Sequence, residues 1–318
     1  MTVEEALEIN RHRAWLRSLG AVGPLPGGVE LPPLEDAPTL LERLGVADED
    51  AAAVLERWPH PEHDAATWGL IERCAHVLVR DLGGTRWLGW PRLPGTVLYA
   101  YVFLAVLARV REWQRRRRIP DDVSWATLAD LGRQMRLHRR IHGRSGLEEG
   151  DWLSLHFRGG LFELGRLHFN RGRGEESAEA LRAAGAPVRR GDWVLDVHIP
   201  AAGLLTPEAC DASFAAARAF FARHFPEEPY RIATCRSWLL DPQFAEYLPP
   251  ESNIVRFQRR FRVLPGGLDA DVELFRFVFH RTAVALDDVP QETTLERAIV
   301  AHLRAGRHWQ APTGWLEL

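Results

Sequence analysis

Lysine is missing from this chain of 318 residues: its 40 Lys and Arg positions are all arginine. That absence removes several chemistries at once. No side-chain amine can form a Schiff base, serve as a phosphate-loop lysine or pair with a serine in a Ser–Lys dyad. Cysteine is scarce as well. Cys74, Cys210 and Cys235 are odd in number and far apart, which argues against a disulfide framework and fits a reduced, cytoplasmic setting. Long apolar runs are also lacking. The most apolar stretch, Val97 to Ala108, falls short of the roughly 20 residues a membrane helix needs. Met1 to Leu19 is charged throughout, so neither a membrane span nor a secretion signal is expected. A net charge of −3 argues against a dedicated nucleic-acid partner.

What is present suffices for two cores: 46% of the residues are hydrophobic, and a chain of this length divides naturally in two. Helical periodicity runs through Val3 to Leu19, Ala37 to Leu44, Asp48 to Trp58, Asp64 to Leu82 and Thr96 to Arg117. Ser124 to Arg140 reads as one further helix with Ser124 at its N-cap. Gly23 to Pro38 is a Pro/Gly-rich linker. Strand-like alternation takes over beyond Gly143 to Gly150. The expected division is a helical domain over 1–148 and an α/β (α+β) domain over 149–318.

The most informative segment is Gly191 to Val263. Trp193 to His198 alternates as a strand, with Trp193, Leu195, Val197 and Ile199 on an apolar face and Asp196 and His198 on the polar one. Ile199-Pro-Ala-Ala-Gly203-Leu204-Leu205 is a tight loop. Thr206-Pro207-Glu208 then starts a helix with a Thr N-cap, Pro at the first position and an acid in the first turn. Tyr230 to Leu240 is expected as the next strand, Asp241 to Leu248 as a short helix and Ile254 to Val263 as another strand. A strand that feeds a loop and then a helix N-terminus offers free N–H groups to an anion.

This order of elements resembles the GNAT superfamily of acyl-CoA-dependent acyltransferases. Asp151 to Arg158 and Leu161 to Phe169 resemble that fold's second and third strands. The segments "DVHIPAAGLLTPEACDASFAAARAFF" and "CRSWLLDPQFAEYLPPESNIVRFQRRF" are similar to a bacterial family in which a helical N-terminal domain precedes a GNAT-like one. The resemblance implies a mixed, mainly antiparallel sheet flanked by helices, with acyl-CoA as co-substrate. It implies an amine acceptor, a small molecule or a peptide, with an acyl-carrier protein as an alternative donor, and a helical domain that covers the acceptor side. The superfamily's pyrophosphate signature is degenerate here. With Gly203 at its first glycine, Pro200 and Leu205 occupy the other two positions.

On that basis Val197, Ile199, Gly203, Leu204, Leu205 and Thr206 are the expected cofactor-binding residues. Asp196 and His198, roughly 7 Å apart at Cα on one strand face, are candidates for taking the acceptor's proton. The alternative is a polar pair that only ties the loop to its strand. Tyr247 loosely follows the family's Asn-x-x-Ala-then-Tyr pattern and would protonate the departing thiolate; otherwise it is a packed tyrosine. Ser237 would hydrogen-bond acceptor or cofactor. Cys235 or Ser237 as nucleophile, with His198 as base, would make the protein a thioester hydrolase. Ahead of that hydrolase, the runner-up class is a non-catalytic acyl-CoA-binding or scaffold protein that kept the fold and lost the loop signature. His60-Pro-Glu-His63 and His138-x-x-x-His142 have metal-pair spacing without a third ligand in view, so no metal is expected. Arg256, Arg259, Arg260 and Arg262 are placed on the last strand, where they could face phosphates.

Overall fold

The structure, a computed structural model, describes residues 3–174, 178–282 and 285–318, with side chains from residue 10 onward. It divides into two compact units, residues 1–162 and 163–318.

The first unit is helical: α1 (Val3–Val22), α2 (Ala37–Arg43), α3 (Asp48–Glu56), α4 (Ala65–Arg80), α5 (Leu98–Arg116), α6 (Asp121–Leu128), α7 (Asp130–His142) and α8 (Gly150–His156). Its centre is the α4–α5 pair, where Ile71, Cys74 and Leu78 meet the almost wholly buried run Tyr99 to Leu107. Two expectations fail here. Ser124 to Arg140 is not one helix. The chain breaks at Ala129, and Ser124 is buried inside α6 with its hydroxyl on Gln114 and Arg111. Gly132 explains the break. Its N–H donates to Leu44 O at 3.1 Å, and a Cβ there would lie 1.9 Å from Gly45 O. Backbone meets backbone where a side chain has no room.

Asp151 to Arg158 is α8 rather than a strand. Leu153 to Phe157 are buried on every side, and a segment buried all round carries no period by which helix and strand could be told apart. Arg158 closes the helix, its guanidinium on Asp81 and the Arg86 and Ser154 carbonyls. Leu147, Leu153 and Phe157 belong to the helical core, which is why the units part after Phe162 and not at 148.

The second part carries β1 (Leu161–Leu164), which spans the division, then β2 (Leu167–Arg173), α9 (Ala178–Ala183), β3 (Trp193–His198), α10 (Pro207–His224) and β4 (Ile232–Arg236). Two 3-10 turns follow, Trp238–Leu240 and Pro242–Glu246. After them come α11 (Asn253–Gln258), β5 (Arg262–Val263), β6 (Leu268–Asp269), α12 (Asp271–Phe277), α13 (Thr294–Arg304), β7 (Gln310–Ala311) and β8 (Thr313–Glu317). The main sheet runs β1-β2-β3-β4-β8-β5. Only the central β3–β4 pair is parallel among the pairings β2–β3, β3–β4, β4–β8 and β5–β8. This is the mixed, mainly antiparallel sheet the resemblance implies.

The first half of the strand expected over Ile254 to Val263 is α11. Ser252 caps it, its hydroxyl accepting from Val255 N at 3.3 Å, and the cap outweighs the strand propensity of Ile254-Val255. Strand structure is left only at Arg262 and Val263. Among the described helices none is long and apolar enough to cross a membrane.

Candidate functional site

β3 and β4 pair at only two positions, Leu195 with Ala233 and Asp196 with Thr234. On its other side β3 stays in register with β2 as far as His168–His198. The parallel ladder therefore ends two residues before β3 does. Beyond it the end of β3 is no longer paired with β4, and the Pro200–Leu205 loop follows directly in the chain.

Residues directly opposite in neighbouring strands share a face. The register thus lines up His168, Asn170, Asp196, His198 and Thr234 on one side of the sheet. The other side receives α10, where the Phe214 ring meets Phe169 at 5.7 Å. Asp196 is anchored by Thr234, whose hydroxyl donates to Oδ1 at 3.2 Å, while Oδ2 faces His198 Nε2 at 3.5 Å. Both side chains reach solvent, 36% and 25% exposed. Next to them a second pair, His168 Nε2 and Glu163 Oε2, stands at 3.2 Å with the imidazole wholly buried. Glu163, His168, Asn170 and Thr234 were not singled out in the sequence. The signal lay in Leu167-His-Phe-Asn170, which alternates apolar and polar as β3 does.

The loop is built from backbone. Gly203 has φ of +70°, a left-handed conformation in which a β-branched residue is strained. Leu204 is 75% exposed, whereas Val197 and Leu205 are buried, so those two can reach a ligand only through their main chain. The N–H groups of Gly203, Leu204 and Leu205 make no hydrogen bond among the described residues. Thr206 caps α10, accepting from Ala209 N at 3.3 Å.

Two arginines flank this helix start. Arg166, in the β1–β2 turn, donates from Nε to Leu204 O at 3.2 Å. Its Nη1 is buried with no hydrogen-bond partner among the described residues. Burial lowers its pKa below the usual guanidinium value, opposed by the neighbouring Cys210 and Glu163. Ser213 of α10 holds the turn in place by accepting from Arg166 N and Leu167 N at 2.8 and 3.3 Å. On the other side Arg260 donates to Pro207 O at 2.9 Å and pairs with Asp211, and that bond holds the Asp211 carboxyl below its usual range. Open N–H groups, a helix start and an arginine with an unused donor fit a diphosphate. The four arginines placed on the last strand part company. Arg256 lies in α11, Arg259 caps it, Arg260 serves α10, and Arg262 lies over the Trp315 ring at 4.7 Å.

Cys235 and Ser237, each considered as a nucleophile with His198 as base, lie in different settings. The strand ends at Arg236, and Ser237 caps the 3-10 turn, accepting from Leu239 N at 3.1 Å. Cys235 is wholly buried on the face opposite Thr234, and burial, with the Asp196 charge adding to it, pushes its thiol well up. His198 on the other face is in no position to deprotonate it. Tyr247 lies beside α13. Its hydroxyl meets His302 Nδ1 at 3.1 Å and accepts from Arg307, which also grips Glu246 at 2.8 and 3.2 Å.

The histidine pairs gain third members. His60 and His63 adjoin Glu62 on an exposed turn, and His138 and His142 adjoin Glu148 in a largely buried setting. The expectation that neither pair has a third ligand near it is overturned for both, for the second by a chain reversal after α7.

Comparison with known proteins places this geometry. A family model described as a GNAT-like C-terminal domain matches residues 161–316, and one described as an N-acyltransferase N-terminal domain matches 35–159. A solved acyltransferase in complex with decanoyl-CoA and teicoplanin is 39% identical, covers 99% of both chains and superposes with a TM-score of 0.88. A mutant acyltransferase in complex with octanoyl-CoA is 40% identical over 96% of this chain and 94% of that one, with a TM-score of 0.88. A third acyltransferase structure, with CoA and 10C-teicoplanin, is 39% identical over 99% of both chains at a TM-score of 0.88. No curated protein matches the chain.

Proposed function

Because the chain belongs to the two-domain acyltransferases that join an N-acyltransferase N-terminal domain to a GNAT-like C-terminal domain, we propose that it moves a medium-length acyl group from acyl-CoA to an amine on a small molecule of the teicoplanin kind. Acyl-CoA is the co-substrate. Octanoyl and decanoyl chains are the first choice, since acyltransferases 40% and 39% identical hold them. The observation that carries the reading is the end of β3 left unpaired with β4, with an anion-ready loop after it and a half-exposed carboxylate–imidazole pair beside it.

In this reading the diphosphate rests on the N–H groups of the Gly203–Leu205 loop, with Arg166 supplying the charged donor. The thioester carbonyl enters where the β3–β4 ladder ends, and main-chain N–H groups from Val197 onward stabilise the oxyanion as the amine attacks. Asp196, fixed by Thr234, orients His198, which takes the amine proton. The bond from nitrogen to the acyl carbon forms, the carbon–sulfur bond breaks, and the thiolate needs a proton. Tyr247 is the candidate donor, its hydroxyl accepting a hydrogen bond from Arg307. The three cysteines are free and buried, in keeping with a cytoplasmic enzyme.

A binding module that had lost catalysis would keep the loop but would have no use for an exposed Asp–His pair at the end of β3. The test is free-thiol release from octanoyl- and decanoyl-CoA with a panel of amine acceptors, and with acyl-carrier protein as a second donor. Release that depends on both donor and acceptor supports transfer. Release without an acceptor would turn the reading to hydrolysis, and tight CoA binding with no release at all would turn it to a binding module.

A further inference from the structure

From His138, His142 and Glu148 we infer a zinc-binding clamp in the helical unit, independent of acyl transfer. His138 and His142 are four residues apart on α7, hence on one face, with ring centres 4.3 Å apart. Gly143 ends the helix in the left-handed conformation, φ +68°, and turns the chain back. The returning segment is held at two points. Ser145 Oγ donates to Asp50 Oδ1 at 2.7 Å, and Leu147 N donates to Thr96 O at 2.7 Å. Gly146 lies so close to the His138 ring that a Cβ there would sit 2.5 Å from Nε2. Glu148 thereby reaches both imidazoles, with Oε2 at 3.7 Å from His138 Nδ1 and 3.3 Å from His142 Nε2.

Those separations decide the chemistry. Ligands about 2.0–2.2 Å from a tetrahedral zinc stand roughly 3.3–3.6 Å from one another, and the two carboxylate–imidazole distances fall around that span. They are too long for good hydrogen bonds. His138 is 1% exposed, and neither of its ring nitrogens has a hydrogen-bond partner among the described residues. A neutral imidazole carries one N–H and one lone pair, and burying both unmatched is costly; a cation uses the lone pair at Nδ1. Two imidazoles and a carboxylate, with no thiolate, form a donor set for zinc with a fourth position left for water. His142, 24% exposed, gives the ion its way in. The clamp fastens the last turn of α7 to the segment that leaves it.

The test uses the full-length protein, stripped with chelator and titrated with Zn²⁺ alone against a chromophoric competitor, with Co²⁺ as a spectroscopic probe. The expected result is one equivalent bound, a visible Co²⁺ band of tetrahedral intensity, and a melting temperature raised by zinc. Glu148→Gln keeps the shape and His142→Ala removes the accessible ligand. Each should lower affinity by at least the roughly 10–100-fold that loss of an outer partner of a ligand costs, and should abolish the Co²⁺ band. A His60→Ala/His63→Ala double variant should bind as the wild type does. Failure of the wild type to take up zinc, uptake unchanged in both Glu148→Gln and His142→Ala, or uptake lost in the His60/His63 variant would each overturn the assignment.

Discussion

Two carboxylate–imidazole pairs stand side by side in the sheet, and they differ in what surrounds them. In the Glu163–His168 pair the imidazole is wholly buried and the carboxylate only 19% exposed. Asp196 and His198, one strand over and in register with them, are open to solvent at the point where the β3–β4 ladder stops. The residue types are the same and the separations similar, 3.2 and 3.5 Å. In the proposed reading the environment divides the work: the pair with the buried imidazole holds strands together, and the more exposed pair meets the substrate. His–carboxylate chemistry in a sequence is therefore half a statement, and the register supplies the other half.

The sharpest way to break the comparison is to remove each imidazole. His198→Ala should lower kcat by about 10²–10⁴-fold, the usual contribution of a general base, with octanoyl-CoA affinity measured by calorimetry nearly intact. Asp196→Asn should follow it with a smaller loss. His168→Ala should do the reverse. Emptying the space of a fully buried side chain should cost about 2–5 kcal/mol, read by urea denaturation, while kcat of the folded fraction falls less than tenfold. Equal kinetic losses in the two variants would erase the distinction.

Next in size is the loop. Arg166→Met should raise the KM for acyl-CoA roughly tenfold with kcat little changed, since hydrogen bonds to charged groups contribute about 1.5–3 kcal/mol. Gly203→Val should act in the same direction, through strain of about 1–2 kcal/mol at a left-handed position. Calorimetry with CoA separates the two from any effect on chemistry. Smallest are the effects at the edges of the site. Tyr247→Phe should cost a few-fold in kcat if the thiolate finds its proton elsewhere, and more than tenfold if Tyr247 is the donor. Cys235, buried with a raised pKa, should resist iodoacetamide in the native protein and carry no acyl adduct by mass spectrometry.

Much of this was legible in the chain itself. Thr206-Pro207-Glu208 marks the start of α10 to the residue, and the alternation of Trp193 to His198 puts Asp196 and His198 on the polar face that the structure shows. What escaped notice depends on distant partners. Arg166 has no motif; it matters because Ser213 draws the β1–β2 turn against α10. Glu148 follows no ligand spacing, since the Gly143 reversal brings it back to α7. Asp151 to Arg158 misled because burial on all sides erases periodicity, and Ile254 to Val263 misled because one cap at Ser252 outweighed a β-branched run.

The short β3–β4 ladder has a mechanical side. Two residue pairs are the seam that joins the β1-β2-β3 ribbon to the β4-β8-β5 ribbon, whereas β2–β3 and β4–β8 are zipped over six and five pairs. The central ladder is thus as short as the β5–β8 one at the edge of the sheet. A ligand laid beyond its last pair touches both ribbons and acts as a brace, so the amides at the end of β3 should slow in hydrogen exchange when acyl-CoA is bound. If the thioester enters where that ladder ends, as proposed, the same line should show the fastest exchange in the sheet before acyl-CoA is added.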